Sequence, residues 1–302
     1  TYIVISRSSA LAGIHRITYN SSIALFTEDP LAYPRLNGLV QSGLASAHIM
    51  APLTAGFLLE FTEVWSVASI AVIACLISAL ALLTVNFPEL VVKTSTSSLN
   101  GLKLGINHIR RFKGLKFFLL IHAFANFARG ASIVLFTPFV LSFSSEVILG
   151  SLRSTGGAGM AIGSLIMASW GPSRLLPNVI HSLLFCGAMI LLVGVTQNIA
   201  IIGGSIFLLF VATPILASLT HAIWQEHIPA EIQGRVFSVR DTVAGAALAS
   251  GYVASPWIAN FFFVPLTGNQ GSGIGATYIA MGVITILLAL IARNSSHLKE
   301  LT

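Results

Sequence analysis

His122, Asn126 and Arg129 stand at i, i+4 and i+7 in the otherwise apolar stretch from Phe117 to Leu141. At helical spacing the three side chains share one face. A guanidinium at the centre of a membrane span costs about 2.5 to 3.5 kcal/mol on insertion scales, so this face is expected to line a polar interior cavity whose electrostatics Arg129 sets. The chemistry on offer is recognition of a polar or anionic group in apolar surroundings. The competing reading is an arginine paired inside the bundle without touching any ligand. Glu60, Glu63 and Glu146 fall near one boundary of the spans and Asp241 near the other. The partner of Arg129 is therefore expected outside this sequence, among backbone carbonyls, or on a bound molecule.

A second polar pair, Gln41 and His48, lies seven residues apart on one helical face with Ala45 between them. It is expected to face the same cavity or to bridge helices within the bundle. Arg235, Arg240 and Asp241 cluster at the start of a later apolar stretch, where charges commonly anchor topology. Gly159 and Gly163 form a small-xxx-small pair that lets two helices approach closely. Imidazole as a group titrates near neutral pH, so His48, His122, His181 and His221 leave proton coupling open without singling out one residue.

Other chemistry finds less support. The run from Gly156 to Gly163 has the wrong glycine spacing for a dinucleotide fingerprint and no strand before it. Ser164 and His181 offer a remote serine dyad, but Gly-x-Ser-x-Gly, His-Glu-x-x-His and a paired intramembrane aspartate are all missing. Cys75 and Cys186 both sit in apolar runs and read as packing residues rather than as a disulfide or a zinc site. The expectation is a protein that is no enzyme and uses no cofactor or metal.

The elements that must carry these residues follow from composition. The 302 residues are 55% hydrophobic and 9% charged, with a mean hydropathy of +0.87. Ten acids and sixteen bases are too few to cover a water-soluble body of this size, where about a quarter of the residues are charged. The class is an all-α polytopic transmembrane bundle. Eight stretches reach the length of about 20 residues that a bilayer demands. They run from Asn37 to Leu59, Trp65 to Phe87, Phe117 to Leu141, Leu149 to Trp170, Pro177 to Thr196, Ile199 to Ala222, Arg240 to Val264 and Ile274 to Ala292. None alternates with the period of two that a barrel strand requires.

Twelve of the sixteen bases fall in alternate connections, at Arg35, Lys93, Lys103, Arg110, Arg111, Lys113, Lys116, Arg174, Arg235, Arg240, Arg293 and Lys299. The positive-inside rule places those connections, and the C-terminus, in the cytoplasm, most simply of a cell with the chain in its plasma (inner) membrane. The net charge of +6 is thus an orientation signal, and nucleic acid is not an expected partner. The longest polar connection, from Pro88 to Lys116, divides the chain. Within it Leu99, Leu102, Ile106 and Ile109 share a helical face, which predicts a short amphipathic helix on the cytoplasmic membrane surface or a solvated linker. The segment from Thr1 to Phe26 reads as a damaged span, broken by Arg7, His15, Arg16 and Asn20. A first residue that is not Met, with no signal-peptide pattern, reads as a chain beginning inside a larger protein.

Three ordered segments carry a resemblance. AIWQEHIPAEIQGRVFSVRDTVAGAALASGYVASPWIANFF, from Ala222 to Phe262, resembles the region between the tenth and eleventh helices of major facilitator superfamily transporters. PRLNGLVQSGLASAHIMAPLTAGFLL, from Pro34 to Leu59, is similar to their fifth helix, and LGSLRSTGGAGMAIGSLIMASWG, from Leu149 to Gly171, to their eighth. The likeness is closest to the branch of the enterobactin exporter and macrolide efflux proteins. It implies a fold of two six-helix halves of which this chain supplies the last eight helices. Residues 1–87 would then be a remnant of the first half, 88–116 the basic cytoplasmic linker, and 117–302 the six-helix second half with a short tail. It also implies a secondary transporter that exports a small amphipathic compound, such as a drug, siderophore or other natural product, by alternating access with protons as a candidate coupling ion. In that family the charged loop bearing Arg235, Arg240 and Asp241 is associated with gating. A truncated product that transports nothing is the alternative, and an intramembrane serine hydrolase a remote one.

Overall fold

A computed structural model describes residues 29–84 and 98–298, together with Ile23 and Thr27. The expected damaged span near the start and the first part of the polar connection lie outside the described residues. Among those residues the regular elements are all helical. After a 3-10 turn at Pro30–Ala32 come α1 (Tyr33–Phe61), α2 (Val64–Leu83), α3 (Ser98–Arg111), α4 (Lys113–Leu141) and α5 (Glu146–Trp170). They are followed by α6 (Leu175–Val195), α7 (Ile199–His227), α8 (Ala230–Ile258), α9 (Val264–Thr267) and α10 (Gln270–Asn294). Each of the eight apolar stretches is thus helical in its described residues, and α3 is the short helix in the connection.

Local chemistry sets the ends. Asn198 caps α7 by accepting from the backbone N–H of Ala200 at 2.9 Å and of Ile201 at 3.3 Å. Asn269 does the same for α10 through Ser272 N–H at 2.7 Å. Gly171 ends α5 at φ 55°, a left-handed turn that a Cβ would strain. Pro229 precedes α8, where a missing N–H costs nothing and its fixed φ prepares the first turn. Because of that start, α8 begins ten residues before the expected span at Arg240, so Arg235, Arg240 and Asp241 lie on one continuous helix rather than in a loop. Further along, Pro256 withdraws a backbone donor, and a π-helical segment at Ala259–Phe263 carries the chain from α8 into α9.

Five helices, α4, α6, α7, α8 with its continuation to Thr267, and α10, combine the length and apolarity needed to cross a bilayer. Within α2 the stretch Trp65–Ala81 is shorter but predominantly apolar. Helices α1 and α5, at 29 and 25 residues, match them in length and carry more polar side chains. Bulky residues such as Ile77, Leu80, Leu165, Val253 and Leu287 stay exposed, the outward apolar surface that lipid covers.

Glycine decides which helices pair. A Cβ on Gly130 of α4 would strike Leu248 O of α8, and one on Gly251 of α8 would strike Phe127 O of α4. Gly159 and Gly163 of α5 lie against the carbonyls of Phe207 and Val211 on α7. Gly187 and Gly194 of α6 meet Gly282 and Gly275 of α10 in the same manner. Each pair approaches backbone to backbone, which lets van der Waals contact replace the hydrophobic drive that lipid does not provide between helices. Helix α1 joins the bundle by packing Gly38 against the backbone of Met167 and Ala168 on α5.

Two apolar clusters fill the interior. One gathers Leu115, Phe118, Ile121, Leu219, Trp224, Phe237 and other residues near the end where α4 starts. The other gathers Leu135, Phe139, Leu152, Ile206, Ile274 and Tyr278 among its members toward the opposite end. The Tyr278 hydroxyl donates to Ser132 O at 2.6 Å, tying α10 to α4 within the second cluster. The segment of α4 from His122 to Arg129 runs between the two clusters.

The short helix α3 docks differently from the expected face. Gly101, Gly105 and Ile109 are buried, and a Cβ on Gly105 would meet Arg235 O at 2.6 Å. Leu102 points outward at 42% exposure. The apolar spacing suits a membrane surface, but two glycines on the adjoining face allow backbone contact with α8, and that contact sets the rotation.

Candidate functional site

The polar face of α4 is assembled as a chain of local bonds. Arg129 donates from Nη2 to Asn126 Oδ1 at 2.9 Å, and Asn126 donates from Nδ2 to His122 O at 2.8 Å. Arg129 is exposed, whereas His122 and Asn126 are half-buried. The sequence spacing therefore brings these three side chains together, with Asn126 holding the guanidinium at the open end of the face.

Arg240 and Asp241, on α8, form the buried part of the cluster. The Arg240 side chain is 1% exposed, and its Nε and Nη2 lie 2.9 and 2.8 Å from Asp241 Oδ1. Its Nη1 is 3.2 Å from His221 Nδ1 on α7. The guanidinium carbon stands 4.4 Å from the ring centre of Phe237, a cation–π contact in which the ring face replaces lost water. A buried arginine thus keeps a carboxylate, an imidazole and an aromatic ring, the combination that desolvation demands.

The two polar groups meet at His122. The contact register of Gly130 with Leu248 and Gly251 with Phe127 sets Asp241 level with His122, about two helical turns below Arg129. The charges of Arg240, Asp241 and Arg129 all act on the His122 ring. So α4, α7 and α8 deliver two histidines, two arginines, an aspartate and an asparagine to one zone between the two apolar clusters. The arrangement offers cations, a carboxylate and hydrogen-bonding groups to a polar or ionic molecule.

The remaining candidates fall elsewhere. Arg235 is one turn and a half from Arg240 and lies beneath α3, where its side chain stands 3.7 Å from the site of a Gly101 Cβ. It is separate from the buried cluster. Gln41 is half-buried on α1, and the side chain of His48 lies outside the described residues. Ser164 is fully buried with its hydroxyl donating to Met160 O at 2.7 Å, while His181 is exposed on α6, so the structure does not bring that dyad together. Arg153 is exposed and reaches across to Thr137 Oγ1 on α4 at 2.8 Å.

Sequence reasoning missed the contact that joins α1 to α7. Asn37 donates to Gln225 Oε1 at 2.6 Å, and Gln233 at the start of α8 donates to Gln225 O at 3.0 Å and Ile228 O at 2.9 Å. All three side chains are buried. Each sits at the edge of an apolar stretch, where an amide reads as a boundary marker. The only available signal was the density of amides flanking the turn after α7.

The sequence of Macrolide efflux protein A from Streptococcus pyogenes is 23% identical over 297 residues, covering 92% of this chain and 69% of that protein. Macrolide efflux protein A from Enterococcus faecalis is 25% identical over 247 residues, covering 76% of this chain and 75% of that protein. The family model described as Major Facilitator Superfamily matches residues 8–252. An integral, multi-pass helix bundle paired through glycines, with ionisable side chains held between two apolar clusters, matched by that model over most of its length, belongs to the Major Facilitator Superfamily.

Proposed function

We propose that this chain acts in a secondary transporter that exports a small amphipathic compound, of the macrolide kind named for its relatives, by alternating access. The observation that supports this reading most is the convergence of His122, Arg129, His221, Arg240 and Asp241 from three helices onto one interior zone. A membrane protein keeps ionisable groups at depth chiefly where a substrate or ion passes. Arg129, exposed at the mouth of the polar face, sets the field that a substrate meets. The Arg240–Asp241–His221 group is more fully buried and serves proton coupling. Residues 1–87 then belong to the first half of the transporter, 88–116 link the halves, and 117–302 form the second half. The end rich in bases faces the cytoplasm, as the positive-inside rule requires, with the inner membrane as the site. Helix α8, which carries Arg235, Arg240 and Asp241, gates that side.

The test is flux of a macrolide and other amphipathic compounds in proteoliposomes holding the protein, with and without a pH gradient. Arg129→Ala is expected to abolish flux while its level in the membrane is unchanged. Equal flux in Arg129→Ala and the parent protein overturns the role of the polar face.

A further inference from the structure

We propose that the groove between the base-rich ends of α4 and α10 is a binding site for an anionic glycerophospholipid of the adjoining leaflet. The groove is shallow and open, with about 520 Å³ of space. Its inner wall is apolar, built from Phe117, Leu287, Leu290 and Ile291. Its outer end is polar, built from Asn294, Ser295 and Ser296, which donate and accept hydrogen bonds. That order, apolar toward the membrane interior and polar toward its edge, follows the order of an acyl chain and its glycerol-phosphate headgroup.

The charge around the groove favours an anion. Lys113 lies one helical turn before Phe117 on the same face of α4, and Lys116 is the adjacent residue. Arg293 lies one turn after Leu290 on α10. All three are exposed, and neither α4 nor α10 contains an acidic residue. Among the described residues no ion pair reaches Lys113, Lys116 or Arg293, and at a membrane surface lipid phosphates are the abundant anions. A zwitterionic lipid fits the same shape but gains less from three cations. The occupant is thus set by the headgroup charge and the groove only seats it.

Native mass spectrometry of the full chain, stripped of lipid and offered phosphatidylglycerol or phosphatidylcholine with matched acyl chains, tests the site. The parent protein is expected to retain phosphatidylglycerol preferentially. Each base removed in Lys113→Gln, Lys116→Gln and Arg293→Gln is expected to lower that preference about fivefold. Leu290→Trp, which fills the groove and keeps every charge, is expected to displace the lipid as well. Equal retention of the two lipids by the parent overturns the proposal. So does a preference that survives the triple substitution, or one that Leu290→Trp leaves intact, since the bases would then act without the groove.

Discussion

Asn37 of α1 and Gln225 of α7, 188 residues apart, share a buried hydrogen bond of 2.6 Å. The bond is embedded among Tyr33, Ile23 and Ala222, so water does not replace it when one partner is lost. Asn37→Leu is expected to deprive the buried Gln225 Oε1 of this donor and to cost about 1–3 kcal/mol. The Asn37→Leu/Gln225→Leu double variant should recover part of that loss. Thermal melting of the four proteins in one detergent gives the coupling, and strictly additive losses would show that the two amides act independently.

Arg240 and Asp241 make a steeper case of the same rule. With the Arg240 side chain 1% exposed, Asp241→Leu removes the carboxylate that faces a buried guanidinium and is expected to cost up to about 3–5 kcal/mol. Arg240→Met with Asp241→Leu removes both charges, and the double variant should melt above the single Asp241→Leu. A double variant less stable than either single change would mean that the pair holds the helices together by more than mutual neutralisation.

Glycine contacts predict a contrast between two positions. Gly163→Ala drives a methyl group into Val211 O and Pro214, so α5 and α7 must separate, at a cost of about 1–3 kcal/mol. Gly43→Ala meets nothing within 4 Å and gains the better helix former, so its melting temperature should hold or rise. Equal effects at the two sites, read by the same melting assay, would contradict the close approach of α5 and α7.

The docking of α3 should depend on pH through His108. Burial, with the nearby Arg111 charge adding to it, lowers the pKa of the imidazole below its ordinary value. Its Nε2 is buried with no hydrogen-bond partner among the described residues. In the undocked helix the ring titrates near 6.5, so above that pH both states are neutral and docking is at full strength. As the pH falls through 6.5 toward the docked value, the undocked state takes up the proton first and docking weakens. Hydrogen exchange of the α3 amides, corrected for intrinsic rate, should therefore quicken from about pH 7.5 to about pH 5.5. His108→Gln should flatten that dependence, and an unchanged slope in the variant would assign it to another group.

The helices were legible because apolar length and spacing are properties of neighbouring residues. Among the described residues all eight apolar stretches are helical, and the three-residue face of His122, Asn126 and Arg129 follows from periodicity alone. The start of α8 was placed too late, because a short polar segment between spans reads as a loop even where Pro229 and the turn before it already open a helix. Three adjacent charges also read as one group, although Arg235 and Arg240 face different neighbours.

Composition, the order of spans, the sorting of bases and the family resemblance were thus determined by the sequence by itself, since each depends on residues close together in the chain. The pairing of α4 with α8, α5 with α7 and α6 with α10, the closing of His221 on Arg240 and the bond from Asn37 to Gln225 were decided only by the tertiary structure. Hydropathy says that a span is apolar but carries no information about which helix meets which. That choice rests on where a glycine on one helix falls opposite a carbonyl on another, a relation that exists only once the helices are packed.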